Sequence, residues 1–377
     1  MKVTIIVDTY LPFLTQVASI VNSKNALPIL GTIKIETRSE KNTAILTSGD
    51  GDMWLQVVAP TGGSDSDFKF CVDAKDLLQA LRNLSGRVVT LDIDESKQMV
   101  KGEYENGDFS LPIQNADKYP QIPVNNQEPK TIILPVSRII NAVDMTVFAV
   151  ASDELRPQLN GVHFDFTNES MTTAASDGCK LARYQDNVVK LNDMEACGFT
   201  ISSKVCHAIT TILDKYDGDV KLAFTDNSIS ISNQQFKLNA RLVDGRFPNY
   251  NAVIPKNNDV IAVIDRSLLL ESMKRVLPFG SSSSELMVLM FQDGKVTVFA
   301  ENIDFSLSAK ETIFCDYNGD KFKIAFKGSY LSQMVSNIKD EKVKFMMKDS
   351  SMAALITSFT ANTETDFISL LMPMQIA

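Results

Sequence analysis

Catalysis needs a polarised nucleophile, a general base or a bound metal, and this chain of 377 residues offers few side chains that could serve as one. It has two histidines, His163 and His207. His163 lies in VHFDF, where Val162, Phe164 and Phe166 take the opposite face of an alternating strand, so the imidazole is expected to face solvent. His207 falls on the polar side of a helix-forming run, with no carboxylate at metal-ligand spacing. The five cysteines (Cys71, Cys179, Cys197, Cys206 and Cys315) are odd in number and never form a C-x-x-C pair. That argues against a disulfide framework and against a zinc site. Cys179, after Asp177-Gly178, invites a nucleophile reading, but no local motif supplies its base. Neither Gly-x-Ser-x-Gly nor the phosphate-cradling Gly-x-x-x-x-Gly-Lys occurs, and GGSDSD at 62–67 reads as a loop. The expectation is a protein that binds rather than catalyses, with no catalytic residue, no metal and no cofactor.

Binding must then come from charge and from apolar surface. The net charge of −9 by itself discourages a nucleic-acid partner, an inference that holds only if charge is evenly spread. With 44% hydrophobic and 22% charged residues the composition is that of a soluble globular protein long enough for two or three domains. The N-terminus carries no signal-peptide pattern, and no run approaches the roughly 18 apolar residues of a membrane span. A cytoplasmic protein without a membrane partner is expected. The chain ends in SLLMPMQIA, an apolar segment without a charged side chain that needs something to cover it.

The elements that position these residues are written three times. FKLNARLVDGRFPNYNAVIPKNND at 236–259 is echoed by FSLPIQNADKYPQIPVNNQE at 109–128. Both begin on an aromatic-polar-Leu strand, pass a basic-aromatic-Pro turn and finish at Ile-Pro-x-Asn-Asn. Phe109, Phe236 and Phe367 are spaced by 127 and 131 residues, so the terminal segment is the last strand of a third repeat. A helix follows each boundary: LPFLTQVASIV from Leu11, VSRIINAVDMTVFAVA from Val136, and DRSLLLESMKRVLPF from Asp265. A second helix comes about 65 residues later in each third, with Asp73, Ser202 or Ser203, and Ser329 as N-caps. VHFDF, SISIS, KVTVFA and KVKFMM read as half-buried strands. Each third is an α+β unit, two helices on one side of a mostly antiparallel sheet, with the Asn-Asn stretches at 125 and 257 as linkers.

The second helices carry the cations. Lys75, Gln79 and Arg82 form a stripe opposite the apolar one in the first; Lys204, Thr211 and Lys215 flank the apolar stripe of the second; Ser332, Ser336 and Lys339 lie outside on the third. The first helices add Arg138, Lys274 and Arg275. If the helices of all repeats turn the same way, they make a basic lining with an acidic outside, a surface that holds phosphates without reading bases.

Over essentially its whole length the chain resembles the β subunit of bacterial DNA polymerase III, the sliding clamp family. LPILG (27–31), RPQLNGVHF (156–164), ASDGCKLA (175–182), LVDGRFPNY (242–250) and LLMPMQI (370–376) stand in that family's order and spacing. The resemblance implies three domains, 1–125, 129–254 and 259–377, in a head-to-tail homodimeric ring with helices lining a pore. It implies sequence-independent binding of duplex DNA, with cations kept at Lys24, Lys75 and Lys204. It also implies an apolar cleft for short motifs of polymerase, clamp loader and repair proteins. By position its walls are Leu159, Ser176, Gly178, Leu181, Pro248, Val253, Leu370, Met372, Pro373 and Met374. Cys179 and Lys180 stand where the family has His-Arg, and Ala252 replaces a basic residue, which alters the polar rim. Pro157 and Gln158 replace larger groups at two DNA-contacting positions. Phe109 and Leu111, opposite Leu277, Pro278 and Phe279, take the family's dimer seam. Two other readings are a monomeric peptide adaptor of the same fold and a hydrolase dependent on Cys179.

Overall fold

The computed structural model describes residues 1–22, 24–123, 127–153, 155–191 and 195–375. The linker expected at Asn125 and the terminal Ile376 lie outside the described residues. The first third contains β1 (Lys2–Ile6), α1 (Val7–Ala18), β2 (Thr32–Arg38), β3 (Thr43–Gly49), β4 (Met53–Pro60), β5 (Gly63–Ser64) and β6 (Lys69–Asp73), then α2 (Ala74–Arg82), β7 (Val88–Asp94), β8 (Met99–Tyr104) and β9 (Gly107–Gln114). The second contains β10 (Lys130–Pro135), α3 (Val136–Asp144), β11 (Gly161–Phe166), β12 (Met171–Ser176), β13 (Lys180–Asp186), β14 (Cys197–Ser202), α4 (Ser203–Leu213), β15 (Asp219–Phe224), β16 (Ser228–Ser232) and β17 (Phe236–Arg241). The third repeats that order: β18 (Val260–Asp265), α5 (Arg266–Val276), β19 (Leu286–Gln292), β20 (Lys295–Asn302), β21 (Leu307–Asp316), β22 (Phe322–Lys327), α6 (Gly328–Asn337), β23 (Lys342–Met347), β24 (Ala354–Ser358) and β25 (Thr365–Leu371). All strand pairs are antiparallel, and the α+β repeat stands.

Packing divides the chain differently from its sequence repeats. One unit is Met1–Val136 with His207–Leu242, the other Ser137–Cys206 with Val243–Ala377. The middle repeat is shared between them because its strands extend two different sheets. In the first unit β17 pairs with β4, from Phe236 opposite Val57 to Ala240 opposite Met53. In the second, β13 pairs with β25, from Lys180 opposite Leu371 to Asp186 opposite Thr365. The sheets run β10-β15-β16-β17-β4-β3-β2-β6-β9-β8-β7-β1-β5 and β14-β11-β12-β13-β25-β24-β23-β18-β21-β20-β19-β22.

Local chemistry explains the helix limits. The Asp73 carboxylate accepts from the backbone N–H groups of Lys75 and Asp76 and starts α2, burying Leu77 and Leu81. The Ser202 hydroxyl accepts from Val205 N at 3.4 Å before α4, and Asp265 accepts from Leu268 N at 2.9 Å to cap α5. Two expectations are corrected. Helix α1 begins at Val7 rather than Leu11, because the buried positions Val7, Tyr10, Leu14 and Val17 continue the helical spacing upstream; Pro12 lies inside the helix. Ser329 is not the cap of α6: the helix starts at Gly328, and the Ser329 hydroxyl donates to the Glu285 carboxylate instead.

Candidate functional site

The C-terminal strand, the β12–β13 hairpin and the segment after β17 meet in the second unit. The hairpin is held by its own polar groups. Asp177 Oδ1 accepts from Cys179 N and Lys180 N, both at 2.8 Å, and the Ser176 hydroxyl donates to Lys180 O at 2.8 Å. Gly178 takes φ +93°, a left-handed conformation that side chains disfavour, and a Cβ there would stand 3.1 Å from Arg156 Nη1. The terminal strand then continues past β25, where Met372 N donates to Cys179 O at 2.9 Å and Met374 N to Ala325 O at 2.8 Å.

Beneath this hairpin Leu159, Leu181, Leu355, Leu370, Phe247 and Tyr250 form one buried cluster. Other apolar side chains of these segments are left in water: Val253 is 58% exposed, Met372 43%, and Pro248 and Cys179 are exposed too. Pro373 and Met374 are half-buried. Exposed apolar side chains are surface that a partner's apolar groups can cover. The structure thus brings Leu159, Leu181 and Leu370 into one cluster with Phe247 and Tyr250, and ties Met372 to Cys179. Lys180 is placed otherwise: its side chain is buried, with Nζ 4.2 Å from the Tyr330 ring centroid and 3.0 Å from the Gln333 Oε1 it donates to. Burial pushes its pKa below the ordinary lysine value, against the pull of Asp177.

A polar chain that the sequence reading missed supports the segment carrying Pro248. His163 does not face solvent as expected; its ring stacks on Phe247 at 4.8 Å and an interplanar angle of 4°. His163 Nε2 lies 3.0 Å from Asp165 Oδ1, His163 Nδ1 lies 3.0 Å from Thr200 Oγ1, and the Tyr250 hydroxyl donates to Asp165 Oδ2 at 2.6 Å. Because a carboxylate only accepts, the imidazole presents its Nε2–H to Asp165. Burial raises the Asp165 pKa, but the hydrogen bonds from His163 and Tyr250 outweigh it, so its carboxyl titrates below the usual value. Gly198, opposite Asp165, leaves room for that carboxylate, since a Cβ there would come within 2.6 Å of Oδ1. Period-two alternation put His163 and Asp165 on the outer face but held no sign that Phe247 would cover them.

The cations differ in what surrounds them. Lys75, Gln79 and Arg82 line one shallow cavity of 350 Å³ on the exposed side of α2. Lys24, Lys204, Lys215, Lys274 and Lys339 are exposed, and Lys339 Nζ donates to Asn141 Oδ1 at 3.0 Å. Arg138 departs from the expected free outer stripe: it bonds the fully buried Asp186 at 3.1 Å and Glu364 at 2.9 Å. Arg275 is held by both carboxylate oxygens of Glu311, with Glu271 beside it. Hydrogen bonds to these carboxylates raise both guanidinium pKa values.

Two strands inside the sheet order keep most of one edge open. In the first unit β9 pairs with β8 from Gly107 to Pro112 but with β6 only at Ile113 and Gln114. In the second β21 pairs with β20 from Leu307 to Phe314 but with β18 only at Cys315 and Asp316. Phe109 and Leu111 on β9 are half-buried, Phe109 lying across Gly102. Near β21, Leu277 is half-buried and Pro278 and Phe279 are exposed, together with Ile303, Leu307, Phe314 and Phe305, the last 74% exposed. The sequence reading missed Ile303, Phe305 and Phe314 because the alternation of NIDFSLSAKETIF looks like an ordinary half-buried strand.

Three family models match the chain, described as the N-terminal (residues 1–123), central (133–249) and C-terminal (251–375) domains of the DNA polymerase III beta subunit. The beta sliding clamp of Pseudomonas aeruginosa is 24% identical, the alignment spanning the whole of both chains. That of Treponema pallidum is 26% identical over 79% of this chain and 80% of its own. Crystal structures of the P. aeruginosa and Thermotoga maritima subunits superpose with TM-scores of 0.91 and 0.88 at 24% and 21% identity, each covering all of both chains. A P. aeruginosa clamp bound to griselimycin gives 0.92 at 24% identity.

Proposed function

The chain belongs to the DNA polymerase III beta subunit family, and from that premise we propose that two copies close head to tail around duplex DNA as a sliding clamp. One observation carries the proposal. Within the chain, successive repeats are joined by β17 on β4 and by β13 on β25, and the strands at the two corresponding remaining positions, β9 and β21, each keep most of one edge open. A second copy supplies each missing partner, and the exposed apolar side chains around Phe279 and Phe305 become the seam. The three repeats act as domains 1–125, 129–254 and 259–377.

Lys24, Lys75, Arg82, Lys204, Lys215, Lys274 and Lys339 face the phosphates, and Arg138 and Arg275 contribute less because carboxylates already hold them. Contacts of this kind are weak and weaken with salt, so long residence comes from the closed topology. The apolar rim of Val253, Met372, Pro248 and neighbours takes short peptide motifs of polymerase, clamp loader and repair proteins. The role is tethering in the bacterial cytoplasm without catalysis of its own.

The test is to load the protein on nicked circular DNA and then linearise it. Retention on the circle and loss from the linear form supports encirclement; equal retention on both overturns it. Light scattering adds the mass, expected at twice the 41.7 kDa of one chain; a single chain mass favours the peptide adaptor.

A further inference from the structure

The two strand junctions share one register. In the second, Leu370 stands opposite Leu181, and two residues on Met372 N donates to Cys179 O at 2.9 Å. In the first, Asn239 stands opposite Trp54, and two residues on Arg241 N donates to Asp52 O at 2.9 Å. Asn239, Trp54 and Arg241 therefore occupy the places of Leu370, Leu181 and Met372. The backbone frame is repeated while its chemistry is inverted.

A cavity of 410 Å³ lies at this first junction, lined by Trp54, Asn239, Lys221, Lys237 and Arg241, with Pro123 and Pro129 among its other walls. Its size is that of a ligand with several functional groups rather than of a single small ion. Two donors on lining residues are buried without a partner. Trp54 is only 5% exposed, and neither its indole Nε1–H nor the buried Asn239 Nδ2 has an acceptor among the described residues. A buried donor left unpaired costs about 1–3 kcal/mol, and an indole N–H has no alternative role as an acceptor. Lys221, Lys237 and Arg241 are exposed, form no ion pair among the described residues, and share the lining with no described carboxylate.

We propose that this recess is a second docking site, which takes an extended acidic peptide segment of a partner protein. Carboxylates of the segment pair with Lys221, Lys237 and Arg241, and its backbone lies along the recess over the Trp54–Asn239 pair, as the shared register directs. A segment several residues long spreads its carboxylates over three separate cations, as a simple anion does not. The inference rests on reading the second junction as a peptide surface, since the shared register carries that reading across.

Trp54 is the only tryptophan of the chain, so its emission reports this site alone. The full-length protein is titrated with the amide-capped tetrapeptide Glu-Leu-Glu-Leu, with its Gln-Leu-Gln-Leu and Lys-Leu-Lys-Leu counterparts, and with inorganic phosphate. A saturable change with the acidic peptide is expected, weakened about tenfold or more in the Gln peptide and in a K221Q/K237Q protein, and unmoved by M372D. Both lysines are exposed, so the double variant keeps its fold. No response at millimolar peptide, an equal response to the Gln or Lys peptide, saturation by phosphate alone, or binding that survives K221Q/K237Q would each overturn the proposal. A purely apolar peptide labelled with a fluorophore tests the other junction separately. If it fails to bind the wild-type chain while the Trp54 titration saturates, the second-junction reading is lost and this one stands.

Discussion

The two internal junctions are built on the same backbone pairing, yet one presents apolar groups and the other charge. At β13–β25 the cross-strand pair Leu181–Leu370 joins a buried cluster with Phe247 and Tyr250, and Met372 extends it into solvent. At β17–β4 the equivalent pair is Trp54–Asn239, and a cation, Arg241, stands where the other has Met372. The difference teaches that repetition fixes the backbone frame of a junction, while a few residues decide the chemistry it presents. The junctions are also fastened differently. Arg138 reaches both Asp186 on β13 and Glu364 just before β25, whereas at β17 the ring of Tyr216 packs on Phe236 at 4.7 Å and its hydroxyl donates to Gln16 Oε1 at 3.0 Å.

The largest expected effect comes from emptying the apolar junction. L370A removes a buried side chain from a packed cluster and should cost about 3 kcal/mol, while N239A at the equivalent place should cost less than about 1 kcal/mol. Urea unfolding of both variants checks the contrast, and equal costs would mean that the junctions are not chemically distinct. Next, R138A leaves the Asp186 carboxylate buried without its partner; with Arg138 itself partly exposed, about 2 kcal/mol is expected. The same variant should hardly change the salt dependence of DNA binding, because its charge is already matched. Substituting Lys215 and Lys274 together should do the reverse, lowering the slope of log K against log salt by up to about 2 with little change in stability. A smaller effect is expected from exchanging chemistry between junctions. R241M removes one of three cations and should weaken the acidic tetrapeptide about threefold, as read from Trp54 emission.

The threefold repeat and the helix stripes were legible because both rest on spacing: Leu77 and Leu81 must turn inward if α2 forms, and Lys75 and Arg82 must then turn out. The apolar floor of the terminal strand was legible for the same reason, as a run without charge has to be covered. What sequence could not carry was long-range pairing. Nothing near Arg138 announces Asp186 and Glu364, 48 and 226 residues away, and nothing near Trp54 announces Asn239. The division of the middle repeat between two sheets follows from those pairings as well, because a strand's alternation says which face is buried and is silent on which edge finds a partner. His163 was misread by this blindness: alternation set its face, and the covering Phe247 comes from a segment 84 residues on.

That misreading leads to the smallest effect, a pH dependence confined to the apolar junction. Asp165 is tied to His163 and Tyr250, whose hydrogen bonds hold its carboxyl below the ordinary aspartate range. A group depressed in this way stabilises the fold fully above its unfolded pKa, and the contribution fades as pH falls through the lower folded value. The Asp165 side chain is 37% exposed, so solvent screening holds the contribution below about 1 kcal/mol. D165N, which keeps the shape but not the charge, should therefore lower the urea midpoint slightly at pH 7, and the gap to wild type should close below about pH 3.8. Because Asp165 holds Tyr250, and Tyr250 the segment bearing Pro248, binding of an apolar peptide should weaken in D165N while the Trp54 response to the acidic peptide does not move. A parallel loss at both junctions would show that Asp165 supports the fold at large rather than one face of it.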